Sequence, residues 1–178
     1  MVLTAIMATP VLSQGSLKRQ KVTKEISMKI PAAFIPMDIR QQRIKYVSDR
    51  EPVAMYTTED GNVDLGINMA STMWGSADLD ILHDFYKAGI LNLYDQVDFA
   101  QDTVRTINDR QYIVFEFNAY LTGEDNSFAR QAGLSKYIYI QYTLREGSVL
   151  LFNFSAPARA RQTWEAVASE MMNSVQIK

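Results

Sequence analysis

At 178 residues, with 47% apolar and 21% charged side chains, the sequence is long enough for one domain with a substantial core. A net charge of −2 supplies no basic field to replace phosphate counterions, which argues against a nucleic-acid partner. With no cysteine and a single histidine, disulfides, thiolate metal sites, cysteine nucleophiles and any mechanism needing two imidazoles are excluded.

Residues 1–15, MVLTAIMATPVLSQG, carry no charge and hold a short apolar run broken by Pro10, followed by small residues at spacings a signal peptidase accepts. They read as a clipped secretory signal, which places the mature chain in the periplasm or outside the cell. No Lys or Arg precedes the run, and Lys18, Arg19, Lys21 and Lys24 follow it, so a tail that stays on the chain is the alternative. Residues 16–23 read as a basic, solvated arm, and residues 24–178 as one domain.

Within that domain, residues 24–30 alternate imperfectly and predict a strand stopped by Pro31. Phe34 anchors an apolar turn. Residues 38–46 predict a short helix capped by Asp38, with Ile39 and Ile44 inward. Residues 52–57 and 63–71 predict strands joined through Glu59-Asp60-Gly61-Asn62, a hairpin signal because Gly and Asn tolerate positive φ. Ser76 then caps a helix whose inner stripe is Leu79, Leu82, Phe85 or Tyr86, Ile90 and Leu93.

The second half predicts two long hairpins. Residues 96–106 and 111–121 flank Asn108-Asp109, and residues 136–144 and 148–154 flank Glu146-Gly147. A two-residue turn at the second sets Tyr142 opposite Leu151 and Ile140 opposite Asn153, unless a bulge at Gly147 shifts the register by one. Tyr137, Tyr139, Phe152 and Phe154 line one side; Ile138, Ile140, Leu144 and Leu151 line the other. A sheet apolar on both faces must be covered on both. Residues 158–173 supply one cover, a helix with Trp164, Val167 and Met171 inward, and residues 175–178 add a final edge strand.

The strand running into IPAAFIPM, the YTTEDGNVDLGIN hairpin, the mid-chain helix, the long hairpins and the closing W…MMNSVQIK resemble, in that order, the Mog1/PsbP-like superfamily, in particular its small exported bacterial members. The resemblance covers residues 24–178. It implies an α+β fold, an α/β/α sandwich in which a curved antiparallel sheet is covered by helices on both faces. It also implies a binding or assembly role, as in a photosystem accessory protein and a nuclear-transport GTPase binder. No catalytic motif comes with it.

The residues themselves offer no P-loop, dinucleotide glycine pattern, nucleophile elbow or HExxH, so the sequence predicts no enzyme, no cofactor and no metal. His83 with Asp80 and Asp84 reads as a solvent-facing group beside aspartates that suit the helix dipole, against a weak acid–base or metal pair. Glu116 interrupts an apolar strand and shares a face with Tyr112, Asn118 and Tyr120. With Asn153 on a neighbouring strand it would make a polar ligand pocket; otherwise it is a hydrogen-bonded polar group at a layer edge, or part of a partly solvated sheet face. Ser155, Arg159 and Arg161 suggest an anion site at a helix start, against an Arg161–Glu165 pair. Residues 122–135 form a long polar loop in which Phe128, Arg130 and Leu134 are candidate partner contacts. Two functions follow. One is a noncatalytic cell-envelope binding or assembly protein, contacting another envelope protein or a second copy of itself, with no nucleic acid and no transmembrane segment in the mature chain. The other is a small-ligand binder built around Glu116.

Overall fold

The computed structural model describes residues 16–46, 50–75, 78–121 and 133–178. The signal-like segment 1–15, Ser76 and most of the 122–135 loop lie outside them.

The large sheet has seven strands. β3 (Phe34–Pro36), β4 (Ala54–Thr58) and β5 (Asp64–Ser71) lead to β9 (Ser148–Pro157), then β8 (Leu134–Arg145), β7 (Arg110–Leu121) and β6 (Gln96–Ile107). Every neighbouring pair is antiparallel. The tight turns fall where the sequence carries residues suited to them. Asn108 and Asp109 have φ of 48° and 62°, Gly61 68° and Gly147 67°, the left-handed region that tight hairpins need. At Gly147 there is no bulge: Tyr142 pairs with Leu151 and Ile140 with Asn153. The register does shift on the edge strand β6, where Ala100 is extra between Phe99 and Gln101 and bends the strand.

The two faces of this sheet carry separate cores. One buries Tyr112, Val114, Tyr137, Tyr139, Phe152 and Phe154 under α3 (Arg161–Asn173), which contributes Trp164, Ala168, Met171 and Met172. Beside α3 lies a second, three-stranded sheet of β1 (Leu17–Lys21), β2 (Ile26–Pro31) and β10 (Gln176–Ile177), with β2 central and its Met28 and Ile30 fully buried. The other face buries Ile113, Phe115, Phe117 and Ile138 under α2 (Leu79–Leu93) through Leu79, Leu82 and Ile90. Completely burying an aliphatic or aromatic side chain contributes about 1.5–3 kcal/mol, so these two layers carry most of the stability.

Four expectations are corrected. The basic arm is no solvated tail but edge strand β1, paired with β2 from Leu17–Pro31 to Lys21–Ser27, with Leu17 on the core. Charged side chains suit an edge strand because they discourage further pairing. The short helix is α1 (Ile39–Lys45), and Asp38 does cap it: its Oδ1 accepts from the Arg40 and Gln41 amides at 2.8 and 2.9 Å, while Gln41 Oε1 accepts from the Asp38 amide. Yet Ile39 and Ile44 point outward, 50% and 83% exposed, because no α1 side chain is buried. On α2, Phe85 and Leu93 are also exposed, since the inward stripe runs through Leu79, Leu82, Tyr86 and Ile90. Finally, β9 continues through Pro157, so Ser155 is a strand residue opposite Asp64 and Ile138 and caps no helix.

Candidate functional site

Among the described residues, the α2-side face of the sheet is only partly covered. On its floor, Gly66 and Asn68 of β5 sit opposite Asn153 and Leu151 of β9, which sit opposite Ile140 and Tyr142 of β8. α2 covers the β6–β7 end and α1 lies at the β4–β5 end. Between the helices are two adjoining hollows. A cleft of about 600 Å³ runs beside α1 and is lined by Ile39, Arg43, Met55, Gly66, Asn68 and Asn153, among others. A groove of about 410 Å³ runs beside α2 and is lined mainly by Phe85, Gly89, Leu93, Tyr94, Ile140 and Tyr142.

Polar contacts hold α1 over this face. Asp64, buried on β5, accepts from Lys45 Nζ at 2.8 and 2.9 Å, from the Tyr46 hydroxyl at 2.7 Å and from Thr57 Oγ1 at 2.5 Å. Burial first, and then Asp64, pushes the Tyr46 hydroxyl far above its ordinary pKa. It therefore stays a protonated donor in this latch. The groove end is aromatic: Tyr86 and Tyr142 stack with ring centroids 3.9 Å apart and planes 5° from parallel. Burial, with Tyr86 and Tyr94 nearby, also raises the Tyr142 hydroxyl well above its usual range. Gly89, in the middle of α2, has nothing within 4 Å of where a Cβ would be.

The residues singled out by sequence are placed differently. Glu116, 3% exposed, accepts from the Tyr137 hydroxyl at 2.8 Å and closely from Gln101 Nε2. Tyr112, its hydroxyl pushed up to about 12 by burial against a lowering effect of Arg110, and Asn118 share its face. Asn153 does not. It faces the α1 cleft on the other side of the sheet, so the four residues do not converge. Glu116 is hydrogen-bonded, and it is buried rather than on a partly solvated face.

The anion set is also dispersed. Arg161 donates to Glu165 at 3.0 Å and lies over the Tyr137 ring, Arg159 is exposed, and Ser155 lies on the α1 side of the sheet. Phe128 and Arg130 lie outside the described residues; Leu134 opens β8 and is half-exposed. His83 faces the sheet rather than solvent, stacking on Phe115 with Nε2 at 2.7 Å from Asp102 Oδ1. Lys87 closes on the other Asp102 oxygen. Burial of Asp102 opposes its ionisation, yet Lys87 and His83 together hold its carboxyl below the ordinary range. Asp80 takes no part in that cluster, and among the described residues no three His, Cys, Asp or Glu side chains could hold a metal ion. No helix among them is long and apolar enough to cross a membrane.

No protein-family model matches this sequence, and no curated protein matches it. Solved structures do. The cyanobacterial PsbP (CyanoP) of Synechocystis sp. PCC 6803 superposes with a TM-score of 0.63 over 96% of this chain and 98% of its own, at 15% identity. The chain has a Mog1/PsbP-like fold. The Ran-binding protein Mog1p of Saccharomyces cerevisiae aligns over 91% of this chain and 96% of its own, with a TM-score of 0.53 and 13% identity. LpqN, involved in cell envelope biogenesis of Mycobacterium tuberculosis, aligns over 86% and 83%, with a TM-score of 0.54 and 12% identity. At such identities the likeness concerns the Mog1/PsbP-like fold alone, the α+β sandwich expected from the order of elements.

Proposed function

We propose that this chain is a noncatalytic binding or assembly protein of the cell envelope, periplasmic or secreted, which receives a partner on the open sheet face between α1 and α2. The observation that carries the reading is that face itself: two adjoining hollows flanked by the exposed side chains of Ile39, Phe85 and Leu93. Contiguous exposed apolar surface rimmed by polar residues marks an interaction site. Mog1p binds Ran and LpqN takes part in envelope biogenesis, which supports a binding role on this fold. Leu134, beside Lys45, Tyr46 and Ser155 at a cavity of about 260 Å³, extends the same surface, and Phe128 and Arg130 are the further anchors this reading assigns.

In-cell photocrosslinking tests it. Photoreactive residues at Gln42 and Asn92, on opposite sides of the open floor, should capture the same protein, and one at exposed Gln162 on α3 should not. Equal capture from all three positions would rule out this face as the contact. Fractionation with intact mass tests export: a soluble envelope fraction lacking residues 1–15 is expected, and an uncleaved cytosolic chain refutes it.

A small-ligand reading moves from Glu116 to the α1 cleft, whose volume of about 600 Å³ is within the usual range for small-molecule sites. Native mass spectrometry of protein from its own cells should then show a reproducible added mass that Gly66→Val removes.

A further inference from the structure

The floor of the α1 cleft is notched at Gly66. A row of residues crosses three strands there, with Met55 of β4 opposite Gly66 of β5 and Gly66 opposite Asn153 of β9. Where a Gly66 Cβ would sit, Asn68 Nδ2 is 3.6 Å away, Met55 Cε 3.7 Å and the Asn153 carbonyl oxygen 3.9 Å. A side chain would therefore fit, and its absence gives the space to the cleft. Two carboxamides line this floor, and neither Asn68 nor Asn153 has a hydrogen-bond partner among the described residues. Asn153 Oδ1 is closed off from water as well, which costs about 1–3 kcal/mol for a buried group left unmatched. A half-turn of the carboxamide exchanges its oxygen and its nitrogen, so either can serve the cleft. The charged lining is mixed in sign. Arg43 and Arg50 stand with Glu51, no ion pair joins Arg43 to Glu51, and Lys45 is already committed to Asp64. Ile39, Pro52 and Met55 add apolar wall.

We infer that the cleft takes a short peptide with both ends free, of di- or tripeptide size. A peptide amide carries a donor and an acceptor side by side, which is what two uncommitted carboxamides can meet whichever way each is turned. With no side chain on Gly66, that amide can approach the sheet closely. The two ends of the peptide answer the mixed lining, the carboxylate at Arg43 and the ammonium at Glu51, while its side chains pack on Ile39, Pro52 and Met55. A purely anionic ligand would set its charge against Glu51. A purely apolar one would leave Asn68 and Asn153 unmatched on a covered floor. The volume of about 600 Å³ suits a ligand of this size. The inference names the ligand of the small-molecule reading of this cleft and rests on that reading.

Isothermal titration calorimetry of the full 178-residue chain with the tripeptide Ala-Leu-Ala tests it. Saturable binding is expected, lost in Gly66→Val. Acetylating the peptide amine, or amidating its carboxylate, should each weaken binding about three- to fivefold, the scale of an exposed ion pair. Glu51→Gln should remove the dependence on the free amine and leave that on the free carboxylate; Arg43→Gln should shrink the second and leave the first. Valine suits a strand interior, and circular dichroism checks that Gly66→Val is folded. Asn153→Leu provides a second variant: it removes an unmatched polar group, so thermal stability should hold or rise while tripeptide affinity falls about fivefold or more. No tripeptide binding, equal binding of free and doubly blocked peptide, or binding that survives both Gly66→Val and Asn153→Leu overturns the inference. An added mass on protein from its own cells that Gly66→Val removes, but that fragments to no peptide, overturns the peptide and leaves the small-molecule reading standing. Neither an added mass nor tripeptide binding overturns both.

Discussion

Removing the carboxylate of Asp64 should loosen α1 before anything else in the molecule. The carboxylate accepts four hydrogen bonds from three side chains: two from the Lys45 ammonium, and one each from the Tyr46 and Thr57 hydroxyls. A charge-assisted hydrogen bond is worth about 1.5–3 kcal/mol and a neutral one about 1. These do not simply add. The Lys45 side chain is 30% exposed and can turn to water, which discounts its share. Thr57 retains the Val63 carbonyl at 3.3 Å. Asp64→Ala is therefore expected to cost about 2–3 kcal/mol, most of it from Tyr46 and Lys45. Urea unfolding measures it as a lower midpoint with an unchanged slope. The loss should also be local. α1 is seven residues long, below the length at which a helix is stable alone, and buries no side chain. Hydrogen exchange across Ile39–Lys45 should accelerate while the amides of α2 keep their protection. A cost under about 1 kcal/mol, or α1 exchange equal to wild type, would refute the claim that this latch holds the helix.

Three further outcomes follow from contacts elsewhere. Gly89→Ala should stabilise the chain by about 0.5–1 kcal/mol in thermal unfolding, because a mid-helix glycine costs that much and the new Cβ meets nothing; destabilisation would mean the site is not open. Glu116→Ala should cost about 2–3 kcal/mol by leaving the buried Tyr137 hydroxyl and the half-buried Gln101 amide unmatched, and Glu116→Gln distinctly less, since it still accepts from Tyr137; equal costs would contradict the geometry. Asp102, whose carboxyl is held below its ordinary range, contributes stability that is present above the unfolded carboxylate pKa and lost as pH falls through the folded one. Asp102→Asn should flatten the stability–pH curve below about pH 4, and a curve of unchanged shape there would contradict the pairing with Lys87 and His83.

The hairpins were legible because their determinants are local. Asn108-Asp109 and Glu146-Gly147 fix where the chain reverses, and period-two alternation then sets which side chains share a face. That same parity bears on Asn153. It lies between Phe152 and Phe154, whose rings face Tyr137 and Tyr139, so it must face the opposite way and cannot join Glu116. What the sequence hid was tertiary. Ile39 and Ile44 look like an inward stripe, but inwardness requires a surface to pack on, and α1 is suspended by its cap and by Asp64. Likewise the charges of β1 read as solvated because edge strands and solvated tails draw on the same polar residues. Only the pairing with β2 tells them apart, and β2 gains its central place from β10 at the far end of the chain. No sequence signal marked the open face, since among the described residues it arises from how little of the sheet the two helices cover.

That incomplete cover among the described residues is the feature on which the proposed binding role rests. A strand series apolar on both sides must be buried on both. On one side α3 and the small sheet meet the requirement, and Tyr137, Tyr139, Phe152 and Phe154 are fully buried. On the other, a fifteen-residue helix covers only the β6–β7 end, and α1 adds no buried side chain to the rest. Ile140, Tyr142 and Leu151 are left only partly buried on strands that elsewhere carry fully enclosed side chains. Closing the gap with a longer α1 would have stabilised the monomer at the expense of the cleft. The chain instead holds a short, outward-facing helix in place with a buried aspartate, a costly way to position seven residues unless the surface they border is used.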